Sequence, residues 1–279
     1  MSRLVRWSTT LGVAGFSLLG LGIGGNLIAL ALSQEEVLKK LEPVPVFTIV
    51  DEQGAPLVAS GENKAKVAGA FISQADANQF VAQLKTKNPE LANQVRVVPV
   101  SLGEVYKLSE KAKIQENPLN FAYIPEEETV NSAKTLGEAN QQPYQGGVPL
   151  FVAKGGEDKD YLTIEQDSQQ VIPFFFDKAQ LEEMVAKLKQ QKPEIADSID
   201  IEVVPLEGII KTLETGEDRM LQKIVLVPTE ESIAFLASQD SGQLTSEQPQ
   251  DEMLERHRAV MEAHREASET MGVQHILIP

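Results

Sequence analysis

One stretch of this chain occurs twice. Residues Phe71–Ala92 read FISQADANQFVAQLKTKNPELA, and Phe175–Ala196 read FFDKAQLEEMVAKLKQQKPEIA. A constant spacing carries Phe71 onto Phe175, Ala75 onto Ala179, Leu84 onto Leu188 and Pro89 onto Pro193. The same spacing carries Val44-Pro45-Val46-Phe47 onto Val148-Pro149-Leu150-Phe151. Two separate matches at one spacing indicate an internal duplication with a period of roughly a hundred residues, longer than solenoid repeats. Two copies predict two lobes related by a pseudo-twofold axis.

The order of elements recurs in both copies. In the first, β-rich runs at Val44–Val50 and Ala55–Ala59 flank the turn Asp51–Gly54 and predict a hairpin, followed by a strand over Val67–Ile72. Ser73 opens an amphipathic helix carrying Phe80, Val81 and Leu84, and Asn88-Pro89 ends it. A strand at Val95–Val100, a helix from Ser101, a strand at Phe121–Ile124 and a helix opened by Pro125 and Glu126–Glu128 complete the copy. In the second, strands at Val148–Ala153, Tyr161–Ile164 and Val171–Phe176 lead to a helix from Asp177. A strand at Ile199–Pro205, a helix at Leu206–Leu213, a strand at Ile224–Val227 and a helix from Pro228 follow, the spacing now changed by one. Ser73 with Asp76, Ser101 with Glu104 and Asp177 with Gln180 read as capping boxes. Hairpins mixed with helices predict an α+β fold, with mixed and antiparallel sheets flanked by helices, rather than a doubly wound sheet. Each copy alone is small for independent stability, so the two should pack as one body, with strands meeting near the pseudo-axis.

Four segments follow: a leader over 1–31, a first repeat lobe over 44–143, a second over 148–237, and a polar linker and tail helix over 238–279. The leader combines Arg3 and Arg6 with an apolar run over Leu11–Leu32 and a small-x-small site at Ala29-Leu30-Ala31, which reads as a secretory signal. An uncleaved anchor is the rival reading, because the run approaches a bilayer-spanning length. The arginines are not adjacent, so a twin-arginine signal is not supported. Trp7 is the only tryptophan, so a cleaved protein would lack tryptophan fluorescence. The tail holds all three histidines, His257, His264 and His275, at a spacing that matches no zinc motif; a solvated or partner-contacting helix is the simpler reading.

Composition narrows the chemistry. A formal net charge of −16 repels phosphate backbones and argues against nucleic-acid partners. The absence of cysteine removes disulfides, thiol chemistry and cysteine-based metal sites. No Walker loop, dinucleotide fingerprint or GxSxG elbow is present, and no histidine of the body offers a general base. Paired acids at Glu126–Glu128, Glu182-Glu183 and Glu230-Glu231 fall at helix starts or on solvent faces, where helix electrostatics accounts for them. No catalytic residue, metal ligand or cofactor is assigned.

The unusual feature is Ile172-Pro-Phe-Phe-Phe176, which places rings on both faces of a strand. Either both faces are buried, or one lines an apolar groove for an extended or unfolded segment, formed by Phe47, Phe71, Leu150, Phe151, Phe174, Phe175 and Phe176. The first copy carries Gly69-Ala-Phe-Ile72 at the equivalent place. The aromatic version of this asymmetric strand is expected to hold the client.

Several spaced motifs carry a resemblance: Val44-Pro-Val-Phe-Thr-Ile with Asp51-Glu-Gln-Gly-Ala-Pro-Leu57, Ala70-Phe-Ile-Ser73, Pro99-Val-Ser-Leu-Gly-Glu-Val-Tyr106, Gly147-Val-Pro-Leu-Phe-Val-Ala153, Ile172-Pro-Phe-Phe-Phe176 and Leu206-Glu-Gly-Ile-Ile210. Over Val44 to Leu236 the chain resembles the family of the 22-kilodalton component of the chloroplast inner-envelope translocon, with a bacterial-type signal similar to a cyanobacterial member. The resemblance implies a butterfly-like α+β fold with apolar pockets and a non-enzymatic, chaperone-like role in protein translocation or outer-membrane protein biogenesis. It implies unfolded or precursor proteins and translocon or outer-membrane assembly components as partners. It also implies an exported location, periplasm or thylakoid lumen, with membrane contact peripheral or through a retained N-terminal segment. A structural adaptor bridging two folded partners is the alternative.

Overall fold

The computed structural model describes residues 31–60, 66–113 and 118–242. The leader up to residue 30 and the histidine-bearing tail beyond 242 lie outside these, so the readings made for them do too.

In the first half, α1 (Gln34–Leu41) precedes β1 (Pro45–Asp51), β2 (Val58–Ser60), β3 (Lys66–Phe71), α2 (Gln74–Lys87), α3 (Pro89–Ala92), β4 (Val95–Ser101), α4 (Leu102–Ala112), β5 (Leu119–Ile124) and α5 (Glu127–Ala139). The second half runs β6 (Pro149–Gly155), β7 (Asp160–Tyr161), β8 (Ile164–Gln166), β9 (Gln169–Phe175), α6 (Lys178–Gln191), β10 (Asp200–Pro205), α7 (Leu206–Thr215), β11 (Ile224–Val227) and α8 (Glu230–Gly242). Short 3-10 turns at Pro193–Ser198 and Arg219–Lys223 join its later elements. The strand expected over Tyr161–Ile164 is split between β7 and β8, which pair with different neighbours.

Each half builds its own mixed sheet, and the two share one pairing plan. β1 runs antiparallel to β4 from Pro45↔Ser101 to Asp51↔Val95, and β6 runs antiparallel to β10 from Pro149↔Pro205 to Lys154↔Asp200. Phe47↔Phe71 joins β1 to β3, and Phe151↔Phe175 joins β6 to β9. β5 lies parallel to β3, as β11 does to β9. The Ile72 N–H donates to the Ile124 carbonyl at 3.0 Å, and the Phe176 N–H to the Val227 carbonyl at 3.1 Å.

Local chemistry sets the element ends. The Asp51 carboxylate accepts from the N–H groups of Gln53 and Ala55, and Gly54 at φ 86° closes the turn in a conformation that disfavours other residues. Ser73 accepts from the Asp76 N–H, Ser101 from Gly103 and Asp177 from Ala179, each capping a helix start. The full reciprocal box forms at Ser33 and Glu36 instead. The box read at Asp177 fails at its far end: the buried Gln180 Oε1 accepts from no partner.

Apolar residues fall into three cores. The central one joins the halves: Val46, Ala70 and Ile72 of the first sheet share it with Leu150, Val152, Ile172, Phe174 and Phe176 of the second, and with α1, α4 and α7. Across it, Tyr106 of α4 is hydrogen-bonded to Glu214 of α7; burial first, then that bond, pushes its hydroxyl pKa up. The outer faces form the other two, and there the last helix of each half crosses over. Ala133 and Leu136 of α5 pack into the outer core of the second half, where Asn140 donates to the Ile201 carbonyl at 2.9 Å. Phe235 of α8 packs on the outer core of the first half. The expected meeting of strands near a pseudo-axis is corrected here: among the described strands none pairs across the halves. Side chains of the apolar inward faces and the exchanged helices make the junction.

Candidate functional site

The seven residues expected to line one groove are all buried, none more than 7% exposed. They are also divided among the three cores. Leu150, Phe174 and Phe176 point into the central core, Phe151 and Phe175 lie under α6, and Phe47 and Phe71 lie under α2 and α8. They do not form a common groove. Strand alternation sends Phe174 and Phe176 one way and Phe175 the other, and both faces of β9 are covered.

Of the seven, Phe71 borders open space. A cleft of about 140 Å³ lies on the outer face of the first sheet, between α2 and the β2–β3–β5 surface. Leu57, Val67 and Gly69 line its sheet side, Phe80 and Leu84 its helix side, and Ala122 and Ile124 its rim on β5. Phe71 closes the inner end, its ring 5.7 Å from that of Phe80. A volume of this order accepts one or two apolar side chains.

Small residues leave the space. Two positions before Phe71 stands Gly69; two before Phe175 stands Pro173. On the covering helix Ala77 is the buried counterpart of Leu181. Leu181, Met184, Val185 and Leu188 fill the second outer core, whereas α2 buries only Ala77 and Leu84 and leaves Phe80 half exposed. A Cβ added at Gly69 would meet the Phe71 ring at 2.9 Å and Ile124 Cδ1 at 3.0 Å, so the ring lies over the glycine. The sequence signal for the cleft was therefore the pair of small residues rather than the aromatic run.

Beyond the C-terminal ends of β3 and β5, carboxylates from several helix starts gather. Glu126 lies within electrostatic reach of Asp76, Glu231, Glu128 and Asp177; burial first, then these neighbours, raises its pKa. Burial and Glu127 raise that of Asp76. The Ser232 hydroxyl at the start of α8 reaches the Ile72 carbonyl at 3.4 Å, tying the helix starts together. Among the described residues no group of three or more His, Asp or Glu side chains is placed to hold a metal ion. No described helix is long and apolar enough to cross a membrane. The site therefore offers an apolar cleft near a gathering of carboxylates.

Residues 17–238, most of the chain, match the Tic22-like family. The chain belongs to that family. Two plant relatives named "Protein TIC 22, chloroplastic" are similar to it. The one from Pisum sativum is 26% identical over 190 residues, 68% of this chain and 70% of its own length. The one from Arabidopsis thaliana is 24% identical over 205 residues, 73% and 71% respectively. Among solved structures, "Anabaena Tic22 (protein transport)" is similar with a TM-score of 0.66 at 26% identity, covering 78% of this chain and 100% of that one. Tic22 from Plasmodium falciparum shares the fold, with a TM-score of 0.59 at 21% identity over 74% of this chain and 98% of that one. The α+β architecture is thus the Tic22-like fold.

Proposed function

We propose that this Tic22-like protein is a non-enzymatic, chaperone-like factor in protein transport that shelters extended apolar segments of unfolded or precursor proteins in the cleft beside Phe71 and Phe80. The observation that carries this reading is an apolar cleft left open in the first half while the equivalent space in the second is filled. Family membership and the protein-transport description of Anabaena Tic22 support the transport role. The secretory leader read over 1–31 supports action after export, with translocon or outer-membrane assembly components as partners.

The test is suppression of aggregation of an unfolded outer-membrane protein by the full chain. Ala122 is exposed on the rim, so Ala122→Asp places a carboxylate there without disturbing the cores. The wild type should hold the client in solution and the variant should lose most of that effect, with unfolding midpoints unchanged. Equal suppression by both folded proteins would remove the cleft from the reading.

A further inference from the structure

The strands β5 and β11 occupy equivalent outer edges, and the chain treats them differently. β11 is 4 residues long. Its Val227 carbonyl accepts from Phe176, so alternation turns the backbone groups of Ile224 and Leu226 away from the sheet. That side is covered by α1: the Lys40 ammonium donates to the Ile224 carbonyl at 2.9 Å and to the Gln222 carbonyl at 2.8 Å. A short strand and a lysine laid on its edge are both devices that stop further pairing. The opposite edges, β4 and β10, contain Pro99 and Pro205, which cannot donate.

Among the described residues β5 meets no such device within its span. It has 6 residues without an internal proline, and among the described strands it pairs with β3 alone. The Ile124 carbonyl accepts from Ile72, so Asn120, Ala122 and Ile124 turn their backbone groups to β3. Leu119, Phe121 and Tyr123 turn theirs to the other side. On the outer face, the exposed Asn120 and Ala122 are short and stand beside the cleft floor at Gly69. On the inner face, Glu207, Glu110 and Glu214 lie within electrostatic reach of Tyr123. Lys113 neutralises one of these through its ion pair with Glu110, and the whole chain carries −16.

We infer that the edge of β5 left unpaired by the described strands takes up an extended segment of a transported protein as an added strand, apolar on its outer face and basic on its inner face. Main-chain hydrogen bonds to Phe121 and Tyr123 supply sequence-tolerant attachment, as in other strand-addition complexes. A large apolar side chain opposite Ala122 reaches the cleft, and Lys or Arg at alternate positions meets the carboxylates. The inference rests on the cleft being the client site and adds the mode of binding and the charge pattern of the client.

The experiment uses the full chain and a blocked peptide alternating valine with lysine, a counterpart with glutamate for lysine, and two lysine versions N-methylated on one or the other alternate set of amides. The lysine peptide should bind about tenfold or more tighter than the glutamate peptide at low salt. One methylation set should weaken binding about tenfold and the other should not. In the complex, amide exchange should slow at Phe121 and Tyr123 and stay unchanged at Ala122. Binding that is indifferent to both methylation sets, or that leaves exchange at Phe121 and Tyr123 unaltered, overturns strand addition and leaves the cleft reading standing. If Ala122→Asp also keeps full aggregation suppression, the cleft reading fails as well. Slow exchange at these amides in the free protein at every concentration would assign the edge to this chain's own residues beyond 242. Slowing only at high concentration would assign it to a second copy. Either result overturns a client as the occupant.

Discussion

Phe235 meets Phe47 edge to face across the two halves, ring centroids 5.4 Å apart and planes inclined at 68°. Phe47 is fully buried, and part of its cover comes from a helix nearly two hundred residues away. Phe235→Ala removes that cover and leaves a void over β1. Urea denaturation should show a loss of about 2–4 kcal/mol. The transition should remain single, because the central core still couples the halves. An unchanged midpoint would mean that α8 contributes nothing to the first outer core.

Lys40 does for the second sheet what a paired strand would do. Burial holds its ammonium pKa below the ordinary lysine value, while its two carbonyl partners hold it in place. Lys40→Met keeps the apolar stem and leaves the carbonyls of Gln222 and Ile224 without their donor. The expected cost is about 1–3 kcal/mol by chemical denaturation. Exposure of the β11 edge should also produce self-association that rises with concentration in sedimentation velocity runs. A variant as monomeric as the wild type would show that edge blocking does not depend on Lys40.

The acidic gathering around Glu126 sets a pH dependence of unusual sign. Carboxyls raised above their unfolded pKa bind protons more readily in the folded state, so their effect is a penalty that disappears as pH falls through the raised values. Asp76 and Glu126 both belong to this class, facing Glu127, Glu128, Asp177 and Glu231. Acidification from neutrality toward about pH 4 should therefore relieve strain at this junction. Glu126→Gln should raise the melting temperature by roughly 1–4 °C at neutral pH, with the gain vanishing near pH 4 in calorimetry. A gain of equal size at both pH values would point to packing rather than charge.

Gly69 keeps the cleft deep because the ring of Phe71 occupies the place of its missing side chain. Gly69→Ala pushes on that ring and on the end of Ile124, both of them side-chain ends that can shift. Stability should change by less than about 1 kcal/mol, since the lower entropy of the unfolded chain offsets the contact. Binding of an apolar fluorescent dye should fall several-fold. Unchanged dye binding would locate the dye elsewhere on the protein.

Much of this architecture was legible in the residues, and the limits have physical causes. The helix over Gln74–Lys87 and its counterpart over Lys178–Gln191 were readable because caps, periodicity and a terminating proline are all local signals. The turn at Asp51 and Gly54 was readable for the same reason, but the hairpin expected across it is held by a single bridge between Val50 and Pro56, and β2 pairs with β3 instead. The role of Phe174–Phe176 was not readable, because a strand buried on both faces carries the same apolar run as one that offers a face to a ligand. The difference between Gly69 and Pro173 is plain in the sequence, but which of the two leaves a space depends on the helix packed over it, where Ala77 stands in place of Leu181. The crossing of α5 and α8 had no local signal at all, since it depends on contacts such as Phe235 with Phe47 between distant parts of the chain.

That crossing has a consequence for how the protein comes into being. A chain made or threaded from its N-terminus presents β1 long before the helix that covers it has emerged. Until then α2 covers the outer face of the first sheet alone, and the part over Phe47 awaits a piece encoded near the other end. Closure therefore reports that the body has arrived whole: a copy truncated before Phe235 carries a standing mark of its own incompleteness, available to any protease that surveys for uncovered strands.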